Sequence, residues 1–185
     1  MRPLPHSRAL LFAILAAFSS PATATNPLMD SVDYEGQTTR FWLRKGLWPP
    51  LPPSEKLQEL RKNERCSARG GPRGRWRIVD GQLWLVGLFR CGGEVNLADV
   101  YAGSGEPMVA EWVTGEIWTH RGKRLCGSMY GRVIYQTNLV FEFERGQLKA
   151  LKEMDNSDHP AVPKKFEGVT PVCVQIPASA DPHLR

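Results

Sequence analysis

The stretch that decides the fold is Gly74–Cys91, GRWRIVDGQLWLVGLFRC. Asp80-Gly81 sits between two runs of alternating apolar residues, a strong two-residue hairpin signal. With Val79 opposite Gln82, Ile78 faces Leu83 and Trp76 faces Leu85, and those four side chains make a core face. Arg77, Val79, Gln82 and Trp84 then point to the other side. The stretch carries architecture and no chemistry.

Downstream of it, Gly92-Gly93 ends the strand and Asn96 caps a helical turn reaching Tyr101. Pro107–His120 reads as a second hairpin with Thr114-Gly115 at its turn, setting Trp112 against Ile117 and Ala110 against Thr119. Arg121–Arg124 reads as a basic loop running into Cys126. Tyr130–Glu144 is the longest expected strand, with Val133, Tyr135, Leu139, Phe141 and Phe143 on one face and Gln136, Asn138, Glu142 and Glu144 on the other. Gly146 supplies the positive φ of a three-residue turn, after which Leu148–Lys152 pairs back. Met154–Pro163 reads as loop and Val169–Ile176 as a last short strand carrying Cys173.

Upstream, Ser54 caps a short helix with Glu55 in its first turn and Leu57 and Leu60 as its apolar stripe. That helix should end near Arg65 or Cys66. Met29–Arg40 shows no period and reads as irregular, and Trp48–Pro53 should adopt polyproline II. At the N-terminus, Arg2 and Arg8 precede an apolar run, Ala9–Phe18, and the small-x-small site Ala22-Thr23-Ala24, the pattern of a cleaved export signal. The run is too short for the ~20 residues that span a bilayer.

The expected organisation is a signal peptide over 1–24, an irregular Pro-rich lead-in over 25–53, a single β-rich domain over 54–176 and a flexible tail over 177–185. The expected fold is mainly β, a β-rich α+β chain. Its antiparallel sheet would form a sandwich or a partly open barrel, with one or two short helices.

The chain has 4 cysteines, Cys66, Cys91, Cys126 and Cys173, all beyond the signal. An even count in an exported chain implies two disulfides. Cys66 with Cys91 and Cys126 with Cys173 is the favoured of three pairings, because the first two flank the central hairpin. Closely spaced zinc-ligand pairs are absent from the sequence, so no metal and no cofactor is expected. Loss of Arg2 and Arg8 lowers the formal charge from +5 to +3. That balance does not call for nucleic acid.

Arg61, Lys62, Arg65, Arg69, Arg73, Arg75 and Arg77 lie close together in sequence against one acid, Glu64. They read either as an anion site or as a solvated Arg-rich loop. Among the 6 tryptophans, Trp76 and Trp112 fit inner faces, while Trp84 and Trp118 fall on outer faces beside Arg77 and Glu111. Outer-face aromatics next to charges make a contact platform, unless the helix or the lead-in covers them. His120 and His159, with Asp155 or Asp158 as partner, are the candidate bases of a small hydrolase. No G-x-S-x-G, H-E-x-x-H or P-loop pattern accompanies them.

Trp76-x-Ile78-x-Asp80-Gly81-x-Leu83-x-Leu85, followed by Ala110-x-Trp112-x-Thr114-Gly115, resembles a family of small uncharacterised β-rich bacterial proteins. That family repeats W-x-I-x-D-G-x-L-x-L and A-x-W-x-[ST]-G hairpins. The resemblance covers roughly residues 66 to 150 and implies the fold, and it brings no activity.

The sequence therefore favours binding over catalysis. It describes a periplasmic or secreted protein of the bacterial envelope, an inhibitor or immunity-type protein, that meets an envelope protein or anionic envelope ligand. Its surface would be Trp84, Trp118, Arg77, Arg69 and Arg73. Neither nucleic acid nor stable membrane insertion is expected. A small periplasmic hydrolase and a structural envelope component are the alternatives.

Overall fold

The computed structural model describes residues 28–43, 49–64, 71–103, 107–127, 133–164, 168 and 170–181. Residues 1–24, expected to be an export signal, lie outside the described residues, as do Trp48, Cys66, Arg69 and His183.

The central hairpin forms as its alternation requires. Strands Arg73–Val79 (β3) and Gln82–Arg90 (β4) pair with Val79 opposite Gln82, Ile78 opposite Leu83 and Trp76 opposite Leu85. Asp80 and Gly81 both take positive φ, at 51° and 72°, the turn that matches the twist of a tight hairpin. Beyond Trp76 a bulge shifts the register, so that Arg75 meets Gly87. Trp76, Ile78, Leu83 and Leu85 are all buried.

Seven strands form a ring around this core. The remaining ring strands are Ser31–Tyr34 (β1), Gln37–Leu43 (β2), Gly115–Gly127 (β7), Val133–Glu144 (β8) and Gln147–Asp155 (β9). Hydrogen bonding runs β3-β1-β2-β7-β8-β9-β4, and β4 returns to β3. The pairs are antiparallel except β1 with β3, which is parallel. The ring is not a clean barrel, because its β9–β4 seam is one residue pair, Gln82 with Gln147. Leu83 N–H donating to Gly146 O at 2.8 Å and Leu148 N–H donating to Gly81 O at 2.7 Å reinforce that seam. The short strands Gly93–Val95 (β5) and Met108–Val109 (β6) add to β4 beside it.

Val32, Phe41, Trp76, Leu83, Leu85, Ile117, Leu139, Phe141 and Phe143 fill the ring. Two helices, Glu55–Lys62 (α1) and Leu97–Val100 (α2), add Leu57, Leu97 and Val100 to the same core. Both carry the expected caps: Ser54 Oγ accepts from Leu57 N–H, and Asn96 Oδ1 accepts from Ala98 N–H, each at 3.0 Å. The Pro-rich segment is docked on this core. Pro52 O accepts from the Tyr101 hydroxyl and Pro50 O from the Trp112 indole.

Six expectations are corrected. Most of Met29–Arg40, expected to be irregular, belongs to the β1–β2 hairpin, which runs from Ser31 to Leu43. Its turn, Glu35-Gly36, takes positive φ at 52° and 75°. Val32 and Phe41 are its buried anchors, too few apolar residues to announce two strands.

Pro107–His120 is not a hairpin. Met108 and Val109 pair with β4, Ala110–Val113 is a turn closed by Val113 N–H to Ala110 O, and β7 begins at Gly115. The local turn loses to the long-range pairing of β7 with β2 and β8. Arg121–Arg124 accordingly lies within bulged β7 and is not a loop.

The turn at Gly146 has two residues, Arg145 and Gly146, between Glu144 and Gln147. Helix α1 ends at Lys62, earlier than expected, with Asn63 as its C-cap.

Residues 170–177 form no strand. They are tied instead by Gly127 N–H to Pro171 O, Val174 N–H to Ala161 O and the Cys126–Cys173 disulfide. Around that disulfide Cys126, Ile134 and Ala161 form a second small cluster. Cys91 is also disulfide-bonded.

Candidate functional site

Strand alternation places one set of side chains outside the ring, and on β2 and β7 that set includes Trp42, Trp118 and His120. Trp42, Trp118 and Val140 are register partners in one row, which continues to Lys152 on β9. His120 and Asn138 head the next row, and Arg40 lies two residues before Trp42 on the same face. The His120 imidazole stacks on Tyr135 with ring centroids 3.5 Å apart and planes 18° apart. Trp42 lies on its other flank at 6.2 Å. The Trp118 indole donates to Glu116 Oε2 at 3.4 Å. All four aromatic groups are partly exposed.

The electrostatics of the stack follow from its packing. Burial first, and the Arg40 charge second, push the His120 imidazole down to about 4. It is therefore neutral at pH 7, and its Nδ1 is buried with no hydrogen-bond partner. A neutral imidazole beside these aromatic planes offers stacking area.

The residues singled out in the sequence do not form one surface. Trp118 lies on β7 and Trp84 on β4, with β8 and β9 between them one way round the ring and β2, β1 and β3 the other. Three strand steps at ~4.8 Å separate them by roughly 14 Å along a curved wall. Trp84 pairs across strands with Arg77 and Val109.

The arginine run is likewise dispersed. Arg77 is exposed and faces Asp33 at 3.8 Å, and Arg75 is paired with Glu94 at 2.5 Å. Arg73 is buried, its Nε donating to Leu28 O. Burial lowers its guanidinium pKa, and Asp30 partly opposes that. No common anion site is built by these three. Trp42 and Tyr135 were missed as surface groups. The signal for Trp42 lay in the alternation of Thr39, Phe41 and Leu43 against Arg40 and Trp42.

His159 has a carboxylate partner, but not one of the expected pair. Asp155 accepts from Ser157, whereas His159 Nε2 lies 3.5 Å from Asp181 Oδ1, both side chains at most 2 % exposed. His159 Nδ1 accepts from Ala161 N–H, which places the ring proton on Nε2, facing Asp181. This enclosed pair fastens the segment expected to be a flexible tail. Among the described residues no group of three His, Cys, Asp or Glu could hold a metal ion, and no helix is long and apolar enough to cross a membrane.

Fold and surface together define a class: a disulfide-tied β ring with an aromatic outer face. No family model, curated protein or solved structure matches the chain.

Proposed function

We propose that the chain is an exported, non-catalytic binding protein of the bacterial envelope, an inhibitor or immunity-type protein. It contacts a protein partner through the outer face of β2, β7 and β8. The observation that carries this reading is the Trp42–His120–Tyr135 stack with Trp118 in the adjoining row. Held by neighbouring rings, such side chains lose little freedom on binding and present large contact area, the property of energetically dominant interface residues. Disulfides at Cys126–Cys173 and at Cys91 suit an oxidising compartment.

The test is a pull-down from envelope extract with oxidised protein beginning at Thr25, bound proteins being identified by mass spectrometry. A stoichiometric partner recovered by the native chain and lost with folded Trp42→Ala or Trp118→Ala supports the reading. Equal recovery by native protein and both variants removes this face from recognition.

A further inference from the structure

The segment Thr170–Ile176 presents apolar side chains to solvent while its backbone is fixed. Val172 is 66 % exposed and Val174 53 %, the most exposed of the large apolar side chains described. Burial alternates along it: Thr170, Val172 and Val174 are exposed, Pro171 and Cys173 are half-buried. That period of two belongs to extended backbone.

Each inward position is anchored. Pro171 O accepts from Gly127 N–H at 2.9 Å, and Val174 N–H donates to Ala161 O at 2.8 Å. Cys173 is bonded to the fully buried Cys126, and Ile176 packs on the same small cluster. Further on, Asp181 is buried beside His159. Among the described residues the N–H and C=O of Val172 have no hydrogen-bond partner.

We infer that Thr170–Val174 is a protease-inhibitory segment that enters the cleft of a serine protease of small-apolar specificity, with Val172 in the enzyme's primary pocket. The inference rests on the inhibitor reading above but uses a different surface. Protease clefts bind their substrates as added extended strands, through main-chain hydrogen bonds and pockets for alternate side chains. Among the described residues nothing pairs with the N–H and C=O of Val172, and outward side chains stand at alternate positions. Its ordering cost is already met in the free protein, which raises affinity without new contacts.

The same anchors explain inhibition in place of digestion. Attack by the enzyme's serine on the Val172 carbonyl forms an acyl ester and breaks the bond to Cys173, whose nitrogen leaves as an amine after taking up a proton. The disulfide keeps that amine beside the ester. Its return attack re-forms the peptide bond and expels the serine, which recovers its proton. Hydrolysis therefore competes poorly with religation.

The experiment uses the oxidised chain from Thr25, with elastase and trypsin as probes and chromogenic peptides as readout. Native protein should inhibit elastase in a saturable manner and leave trypsin untouched. Val172→Arg should lose elastase inhibition and gain trypsin inhibition by at least ~10²-fold, since pocket complementarity sets the choice. Val172→Asp should inhibit neither. Near-UV circular dichroism confirms folding of each variant.

Absence of elastase inhibition by native protein together with absence of the trypsin switch overturns the inference. So does rapid cleavage at Val172 without inhibition. The pull-down reads Trp42 and Trp118 and this assay reads Val172, so a failed pull-down and a failed inhibition assay report on separate surfaces.

Discussion

The Trp76 indole donates to Asp30 Oδ1 at 3.1 Å, across 46 positions of sequence. The same oxygen accepts from Gly74 N–H at 2.6 Å, so one buried carboxylate ties the segment before β1 to β3. Burial raises the Asp30 pKa above the ordinary carboxylate range, although both hydrogen bonds and Arg73 pull it down. Asp30→Ala leaves two buried donors unsatisfied and should cost roughly 2–4 kcal/mol in urea unfolding. Asp30→Asn keeps an acceptor oxygen and should cost less. Equal losses for the two variants would show that the carboxylate's charge, not its hydrogen bonding, holds this junction.

Gly74 is required by the same junction. A Cβ there would lie 2.3 Å from Trp76 Nε1 and 2.9 Å from Asp30 Oδ1. Neither neighbour is free to retreat, since each is held by the other. Gly74→Ala should destabilise by about 1–3 kcal/mol, the range for forcing an extra carbon into a packed interior. Gly81→Ala is the control: its φ of 72° also penalises a side chain, but a Cβ there meets nothing within 4 Å. A smaller loss at Gly74 than at Gly81 in the same denaturant series would refute the steric account.

His120 predicts a pH dependence. Its folded pKa of about 4 lies below the ordinary 6.5. As pH falls from 6.5 to 4, the unfolded chain takes up a proton that the folded chain refuses, so stability drops across that window. Partial exposure of the ring limits the loss to about 1–2 kcal/mol. Asp30 acts with the opposite sign. Its raised pKa makes the folded chain protonate first as pH falls, which favours folding between that value and 3.8. His120→Phe keeps a ring on Tyr135 and removes the titration. Thermal melts at pH 7 and pH 4.5 should therefore show a smaller drop for the variant than for the native chain. An unchanged drop would mean that folded His120 takes up its proton as readily as the unfolded chain does, and that its pKa is not lowered by folding.

The parts of the fold legible in the sequence are those fixed by local chemistry. Asp80-Gly81 with its alternating flanks, the Ser54 and Asn96 caps and the Cys126–Cys173 pairing all follow from a few adjacent residues or from a short set of alternatives. What was not legible depends on distant partners. β1 carries little apolar character of its own and is a strand because Trp76 and Phe41 lie beside it, at 5.8 Å from each other. Alternation sets Trp84 and Trp118 opposite the buried Leu83, Leu85 and Ile117 on their strands. Strand order, which no local pattern encodes, sets the two tryptophans on different walls. Arg73 looked like its neighbours Arg75 and Arg77 until Leu28 and Asp30 enclosed it.

The Cys126–Cys173 link should matter to the C-terminal segment more than to the ring. It closes a loop over a sequence separation of 47. Chain entropy alone assigns about 4 kcal/mol to such a closure. The bond lies in the small second cluster, apart from the residues that fill the ring. Cys126→Ala/Cys173→Ala should therefore lower the unfolding midpoint and leave β3–β4 protected in hydrogen exchange. Amides of Gly127 and Val174, which bond to Pro171 and Ala161 across the link, should exchange faster by at least tenfold. The small cluster has few apolar contacts with which to hold the segment once the covalent tie is gone. The same variant should lose elastase inhibition, because Val172 would keep its side chain but not its fixed backbone. Retained protection at Gly127 and Val174 would mean that the His159–Asp181 pair and Ile176 suffice to hold the segment, and that the disulfide is not what orders it.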